Sequence, residues 1–202
     1  MTESERGPRE RMVFSAAQLI RRRGVAGAGM RDVVAHAHAP RGSLQHYFPG
    51  GKEQLVNEAV RWAGRYAARR VPRFMAGMTE RTPAGLLAAM AGQWTQEYAR
   101  EGFAGGCPVA AATVACADSV ESTREAAAGA FGEWTGAVRG ALVEMGVPDA
   151  RAEGLAVVMV SAVEGAVVVA RAERDVRALE AVVRELGPVL DAAVERRDRR
   201  HP

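Results

Sequence analysis

Apolar residues recur every three or four positions along most of the chain, which is the spacing of one face of an α-helix. No segment alternates apolar and polar residues as a half-buried strand would. The predicted helices cover, in chain order, residues 9–23, 30–37, 41–47, 52 into the seventies, 84–100, 107–116, 123–145, 149–172 and 176–194. The pattern therefore predicts an all-α fold of about nine helices.

Glycine and proline mark the predicted ends of these helices. Gly24 is expected to stop the first helix, and Phe48–Gly51 is expected to separate the third helix from the fourth. Thr82 followed by Pro83 is a start signal for the fifth helix. Pro72 is expected to kink the fourth helix or to end it near Val71, because proline has no N–H for the helical hydrogen bond.

The charge is distributed unevenly along the chain, although the net charge is only +3. Residues 1–75 contain 14 Lys and Arg against 6 Asp and Glu, whereas residues 76–202 contain 13 against 18. Among the 27 basic residues of the chain, Lys52 is the single lysine. A basic N-terminal part points to a polyanionic partner there.

The predicted second helix, a three-residue turn at 38–40 and the short third helix have the outline of a helix-turn-helix motif. The segment MRDVVAHAHAPRGSLQHYFPGGKEQL at 30–55 resembles the DNA-binding motif of the TetR family of transcriptional regulators. Further on, GCPVAAATVA at 106–115 and AVEGAVVVARAERD at 162–175 resemble the ligand-binding domain of the LmrA/YxaF-like branch. The resemblance covers essentially the whole chain.

This resemblance implies two domains. Residues 1–52 would form a three-helix DNA-binding domain with the helix-turn-helix, and the linking helix, to about residue 75, would belong partly to it. Residues 53–202 would form a larger helical domain for ligand binding and dimerisation. The linking helix from Lys52 is then the expected hinge, since it belongs to both domains.

The resemblance also implies a set of DNA contacts, because in this family the third helix reads bases and the start of the fourth binds phosphate. The candidates here are Arg31, Arg41, Gly42, Ser43, Gln45, His46, Tyr47 and Lys52. Arg41 and Gln45 are four residues apart and share a helix face, and their side chains suit guanine and adenine respectively. Lys52 follows a Gly-Gly break at a helix N-terminus, where charge and amide donors favour a phosphate.

One position departs from the family pattern. Members commonly carry Tyr where Gln45 stands, so Gln45 is expected to read a base that Tyr would not. Two interpretations of the next positions stay open: either His46 or Tyr47 contacts phosphate, or Tyr47 packs against the domain and touches no DNA. Leu44 and Phe48 are the apolar positions expected to hold the helix on its domain.

A few large side chains and one carboxylate are the candidate ligand contacts of the C-terminal domain. They are Met90, Trp94, Tyr98, Phe103, Cys107, Phe131, Trp134, Met159 and Glu164. The alternative for each apolar one is that it belongs simply to the core. Glu164 lies on an otherwise apolar helix, so it is expected either to bond to another helix or to face a ligand.

The predicted helices over 154–172 and 176–194 have more apolar surface than one small domain can cover. Two such helices from each of two copies would form a four-helix interface, and the resemblance implies the same homodimer. We therefore expect a ligand-responsive repressor that binds a near-palindromic, double-stranded DNA operator and is released by a small, largely apolar molecule. The alternatives are a helical ligand carrier or enzyme, and a DNA-binding activator without ligand control.

Several function classes are disfavoured by the sequence. It contains no nucleophile–base signature, phosphate loop or metal-ligand spacing, so we expect no enzyme activity, no cofactor and no metal. The most apolar stretch, 154–170, is interrupted by Glu164 and is shorter than the about 20 residues of a membrane span. We expect a cytoplasmic protein that does not enter the membrane.

Overall fold

The computed structural model describes residues 7–40, 42–116 and 118–195. Within these ranges the chain is all-α and has no strand. The helices are α1 (Pro8–Gly27), α2 (Met30–His36), α3 (Ser43–Tyr47), α4 (Gly51–Ala76), α5 (Pro83–Glu101), α6 (Pro108–Cys116), α7 (Glu121–Glu144), α8 (Asp149–Glu173) and α9 (Arg177–Asp191). The predicted fold class and the order of the helices are confirmed.

The largest differences from the predicted bounds are at α1, α3 and α9. Gly24 has a φ of 71° and interrupts the helical geometry as predicted, but a further turn to Gly27 extends α1 beyond it. The first residue of α3 is Ser43, which donates its backbone N–H to the Pro40 carbonyl at 3.0 Å. The last helix ends at Asp191 instead of residue 194.

The prediction that Pro72 would kink or end the fourth helix near Val71 is wrong about the end, because α4 continues to Ala76. Val71 and Met75, on either side of the proline, are both buried. Their packing holds the last turn of α4 although Pro72 removes one helical hydrogen bond.

The chain divides into two compact units. The first unit contains the described residues up to Ala67 together with Ala104–Glu133, and the second unit contains Ala68–Phe103 with the described residues from Trp134 onward. The boundaries fall inside α4 and α7, so each of these helices contributes to both units. These units do not test the boundary predicted at residue 52 between a DNA-binding domain and a ligand-binding domain, which stays a prediction.

The core of the first unit is built from α1, α2, α4, α6 and the first half of α7. Met12, Ile20, Val33, Phe48 and Leu55 are its large, fully buried side chains. Gly106 holds α6 against α1 through a reciprocal pair of bonds, in which its N–H donates to the Arg21 carbonyl at 2.9 Å and its carbonyl accepts from Arg21 Nε at 3.1 Å. The segment after α5 is thus part of the unit that contains the helix-turn-helix.

The second unit is built on α5, which packs against α8 and α9. Thr82 caps α5 as predicted, since its Oγ1 accepts from the Gly85 N–H at 3.0 Å. The Ala84 N–H donates to Asp191 Oδ1 at 2.9 Å, which places the start of α5 beside the end of α9.

Helix α8 is long and apolar enough, by length and composition alone, to cross a membrane. Only 39% of its most apolar window is buried within the chain. One of its faces packs on α5 and α9, and another presents four valines to the surface: Val157, Val158, Val168 and Val169. The helix is therefore only partly a core helix of the single chain.

Candidate functional site

The turn between α2 and α3 has the geometry of a helix-turn-helix connection. The N–H of Ala37 donates to the Val33 carbonyl at 2.9 Å, and the N–H of Ala39 donates to the Val34 carbonyl at 3.1 Å. His38, between them, has a φ of 48°, in the left-handed region that non-glycine residues seldom occupy. The chain therefore changes direction within a short turn, and α3 begins a few residues after α2 ends.

One apolar cluster holds α3 on the first unit. Phe48 is fully buried directly after the helix, and Leu44 and Tyr47 are partly buried against the same core. The Phe48 N–H donates to the Leu44 carbonyl at 2.8 Å, and the Arg9 guanidinium lies 5.4 Å from the centre of the Phe48 ring. The predicted roles of Leu44 and Phe48 are confirmed, and Tyr47 contacts the domain as one of its two interpretations requires.

The opposite side of α3 is exposed. Gln45 and His46 are exposed, as is Gly42 directly before the helix. The Ser43 hydroxyl donates to the Pro40 carbonyl at 2.6 Å, so Ser43 can donate to DNA only if that bond is given up. Arg41, the candidate guanine reader, lies outside the described residues. Gln45 and His46 are thus the α3 side chains that the structure presents outward.

The start of α4 carries the predicted phosphate contact. Gly51 has a φ of 68° and opens the helix, and the Gly50 N–H donates to Gln54 Oε1 at 2.9 Å. Lys52 Nζ lies 3.5 Å from the Ala26 carbonyl at the end of α1, a long bond that costs little to exchange for a phosphate. Arg31, in the first turn of α2, is exposed.

A chain of polar contacts supports this helix start from behind. Gln54 Nε2 donates to Glu58 Oε1 at 3.0 Å, and the same oxygen accepts from Arg9 Nη2 at 2.6 Å. Through Gly50, Gln54, Glu58 and Arg9, the turn before α4 is connected to the start of α1. None of these contacts could be predicted from the sequence, because contacts between distant residues leave no local pattern.

A second polar cluster that the sequence does not predict joins α4 to α7, and we call it the clasp: Glu53, Asn57, Ser122 and Thr123. Thr123 donates to Asn57 Oδ1 at 2.6 Å, and Asn57 Nδ2 donates to Ser122 Oγ at 2.8 Å. Ser122 in turn donates to Glu53 Oε1. Asn57 and Thr123 are buried, so the clasp fixes the first part of α4 to the first turn of α7.

The candidate ligand contacts are divided between the two units. The second unit holds the buried Met90, Trp94, Tyr98, Trp134, Met159 and Glu164 and the partly buried Phe103, whereas Cys107 and Phe131 pack on the core of the first unit. The Trp94 and Tyr98 rings are 6.0 Å apart, and the Tyr98 and Phe103 rings are 4.7 Å apart. The structure thus brings three predicted aromatic contacts into one cluster.

Glu164 belongs to the same unit as this aromatic cluster. Arg171 Nε, near the end of α8, donates to the Phe103 carbonyl just beyond α5 at 3.4 Å, so the two helices end side by side. Glu164 is buried on α8, two helical turns before Arg171.

Comparison with known proteins gives two family matches. Residues 15–59 match the bacterial regulatory proteins of the tetR family, and residues 83–185 match the C-terminal domain of LmrA/YxaF-like transcriptional regulators. The first match contains the helix-turn-helix, and the second contains α5 to α8 and part of α9.

Relatives that align with most of the chain agree with these two family matches. An uncharacterized HTH-type transcriptional regulator of Mycobacterium tuberculosis is 40% identical over 198 residues, covering 96% of this chain and 99% of the relative. The HTH-type transcriptional regulator LmrA of Bacillus subtilis is 29% identical over 79% of this chain and 84% of its own length. A TetR transcriptional regulator from Legionella pneumophila, 20% identical, has the same fold, with a TM-score of 0.77 over 92% of this chain and 98% of that one.

Proposed function

Because the chain belongs to the TetR family of transcriptional regulators, in its LmrA/YxaF-like branch, we propose that it is a ligand-responsive repressor. A dimer binds a near-palindromic operator through α3 of each copy and blocks transcription. A small, largely apolar molecule binds among α5, α7 and α8 and releases the DNA. The observation that carries the proposal is the exposed face of α3, with Gln45 and His46 outward and Phe48 fully buried behind.

The DNA contacts follow from this exposed face. Gln45 offers a bidentate contact to adenine, and His46 reaches backbone oxygens beside it. Lys52 exchanges its long bond to Ala26 for a phosphate at the N-terminus of α4. Arg31 is a further candidate on α2, and Arg41 remains the guanine reader proposed from sequence.

The dimer is supported by the apolar surface of α8 and α9. Val168 is 60% exposed and Val157 is 51% exposed on α8, and Val189 is 52% exposed on α9. A second copy that presents the same surface would cover these valines and bury the remaining face of α8. Two-fold symmetry would place the recognition helices about 34 Å apart, one turn of DNA.

The effector site is supported by Glu164 and the aromatic cluster of Trp94, Tyr98 and Phe103. The aromatic rings suit an apolar ligand, and the carboxylate supplies a polar contact that orients it. Coupling to DNA requires that the ligand bind the released form more tightly than the DNA-bound form. The remaining candidates of the second unit, Met90, Trp134 and Met159, are buried in it, whereas Cys107 and Phe131 belong to the first unit.

Two other functions are less well supported. An activator without ligand control would use the same α3 surface, and it differs in having no compound that weakens DNA binding. A ligand carrier or enzyme would not explain why residues 15–59 match the tetR family of regulatory proteins. We place the protein in the cytoplasm, where its proposed partner DNA is found.

Binding to labelled duplexes from the chain's own upstream region, measured by mobility shift with a panel of apolar compounds, tests the proposal. We expect one duplex to bind in preference to random DNA and at least one compound to release it. Failure to bind any promoter duplex at low salt contradicts the regulator function. Binding that no compound weakens contradicts only the ligand control.

The dimer is tested separately by light scattering after size-exclusion chromatography. Val168→Asp places a charge on the proposed interface and is expected to give monomers. Val114→Asp is the matched control, because Val114 is 90% exposed on α6, outside α8 and α9. A Val168→Asp protein that stays dimeric, together with a dimeric Val157→Asp protein, contradicts the proposed interface.

A further inference from the structure

A trough runs along the second unit between the last part of α4 and the last part of α7. Its volume is about 550 Å³, within the range of small-molecule sites. Ala68, Pro72 and Ala76 line it from α4, and Ala137 and Ala141 line it from α7. The α4 residues are four apart and share one face, so the trough follows that helix for about 12 Å.

The trough has an apolar floor because the facing side chains are small. Val71 and Met75 line it but are only 1% and 4% exposed, so its open apolar surface comes mainly from Ala68, Pro72, Ala76 and Ala137. Pro72 has no N–H to donate to the carbonyl of Ala68, which therefore lacks its usual helical donor at the wall of the trough. The trough therefore suits the apolar part of a ligand.

Three charged side chains line the rim of the trough. Arg81 Nη1 forms an ion pair with Glu144 Oε1 at 2.8 Å, and Arg69 also lines the trough. The lining side chains therefore include two guanidinium groups and one carboxylate. The Arg81–Glu144 pair is half exposed on both sides, so exchanging Glu144 for another carboxylate costs little.

We propose that this trough is a binding site for a small amphipathic carboxylate. The apolar part of the ligand lies along Pro72, Ala76 and Ala137, over the buried Met75. Its carboxylate binds the Arg81 guanidinium in place of Glu144, because the planar fork of a guanidinium matches a carboxylate. The site does not use Glu164 or the aromatic cluster, because none of those residues lines the trough. It is thus independent of the proposed effector site.

Methionine methyl groups provide local reporters for the test. With the full chain labelled at the methionine methyl carbon, addition of decanoate below its micellar concentration is expected to shift the Met75 signal, assigned with Met75→Leu. Met90 and Met159, buried at the proposed effector site, are expected to keep their positions. Decanol and decyltrimethylammonium carry the same tail with a neutral and a cationic head, and both are expected to bind more weakly than decanoate.

Variants that fill the trough provide the second arm. Ala137→Phe and Ala76→Phe each place a ring in it and should abolish the Met75 titration, whereas Ala88→Phe, at an exposed position of α5, should leave it unchanged. Arg81→Gln should weaken decanoate binding about two- to fivefold, the size of one exposed ion pair, and leave decanol unaffected.

Four results would overturn the proposal: no Met75 shift with decanoate, an unchanged titration in both filled variants, cation binding equal to that of decanoate, or decanoate binding unaffected by Arg81→Gln. A shift of Met90 or Met159 without Met75 would also overturn the trough site. That last result would instead support an interior ligand site, so the two proposals fail separately.

Discussion

The hydroxyl of Thr123 donates to the Oδ1 atom of Asn57 at 2.6 Å, across 66 residues of sequence and between two buried side chains. Asn57 uses its amide nitrogen for Ser122 at 2.8 Å, so one asparagine binds two consecutive residues of α7. This clasp holds together the segments of α4 and α7 that belong to the unit containing the helix-turn-helix.

Thr123→Val keeps the shape of the side chain and removes the donor, which leaves the Asn57 oxygen buried without its partner. We expect a loss of about 1–3 kcal/mol in the free energy of unfolding, measured by urea denaturation. Thr79→Val, in the exposed turn after α4, is the control and should change stability by less than about 0.5 kcal/mol. Equal effects of the two changes would contradict a stabilising role for the clasp.

Gly64 is required where α4 crosses α7. A Cβ atom on Gly64 would lie 2.6 Å from both the Cα and the Cβ of Ala130, so Gly64→Ala forces the helices apart. We expect a destabilisation of about 1–3 kcal/mol in thermal or urea unfolding, despite the higher helix propensity of alanine. A stable Gly64→Ala protein would show that the helices can separate without cost.

Gly140 of α7 provides the matched comparison, because a Cβ there meets nothing within 4 Å. Gly140→Ala is expected to stabilise the protein by about 0.5–1 kcal/mol through helix propensity alone. Changes of opposite sign in the free energy of unfolding of the two glycine variants would distinguish the effect of close packing from that of helix propensity.

His38 adopts a left-handed conformation, with a φ of 48°, in the turn of the helix-turn-helix. Glycine has no Cβ penalty there, so His38→Gly is expected to raise the free energy of unfolding by up to about 1 kcal/mol. Ala35→Gly, at an exposed position inside α2, should instead lower it by a similar amount. Differential scanning calorimetry measures both, and a destabilised His38→Gly protein would mean that the imidazole makes a contribution larger than the strain.

Gln45 and Lys52 are expected to affect DNA binding differently. Gln45→Ala should cost about 1–3 kcal/mol on the operator and relax the base preference at one position, whereas Lys52→Ala should weaken all sequences similarly and reduce the salt dependence. Arg41→Ala is expected to behave like Gln45→Ala. Fluorescence anisotropy with operator and random duplexes measures these effects.

Gln96→Ala, at an exposed position on α5, is the control for Gln45→Ala. If Gln45→Ala weakens operator and random DNA equally, the role of base reader assigned to Gln45 is wrong. If Lys52→Ala weakens the operator but not random DNA, the role of phosphate contact assigned to Lys52 is wrong.

Asp175 begins the turn into α9 and gives the protein a pH-dependent contact. Its carboxylate accepts from the Arg177 backbone N–H at 2.9 Å, and this bond, with the Arg177 side chain, lowers the pKa of Asp175 below its ordinary value of 3.8. A lowered pKa means that the contact stabilises the fold above pH 3.8 and is lost as the pH falls through the folded-state value.

Asp175→Asn is therefore expected to lower the unfolding temperature at neutral pH and to show a smaller difference from the unchanged protein as the pH falls below 3.8. Thermal unfolding from pH 7 to pH 3 measures this. A difference that grows on acidification would contradict the sign of the shift.

The helices and the outward face of α3 could be predicted from the sequence because both depend on local spacing. Phe48 was expected to hold α3 on its domain, and it is fully buried. The continuation of α4 past Pro72 could not be predicted, because it depends on the tertiary packing of Val71 and Met75. The clasp could not be predicted either. It joins residues of α4 to residues of α7 that lie more than 60 positions later, and each residue alone resembles an ordinary surface residue.

The bonds between Arg21 and Gly106 have a consequence for how this protein can be recombined. They attach α6 to α1, so the unit that contains the helix-turn-helix is built from two separate stretches of sequence. A chimera that exchanges only the first 67 residues would inherit the new DNA-reading surface but the old α6 and α7 beneath it. Transplanting DNA specificity between relatives therefore requires exchanging residues 104–133 as well, or matching their contacts.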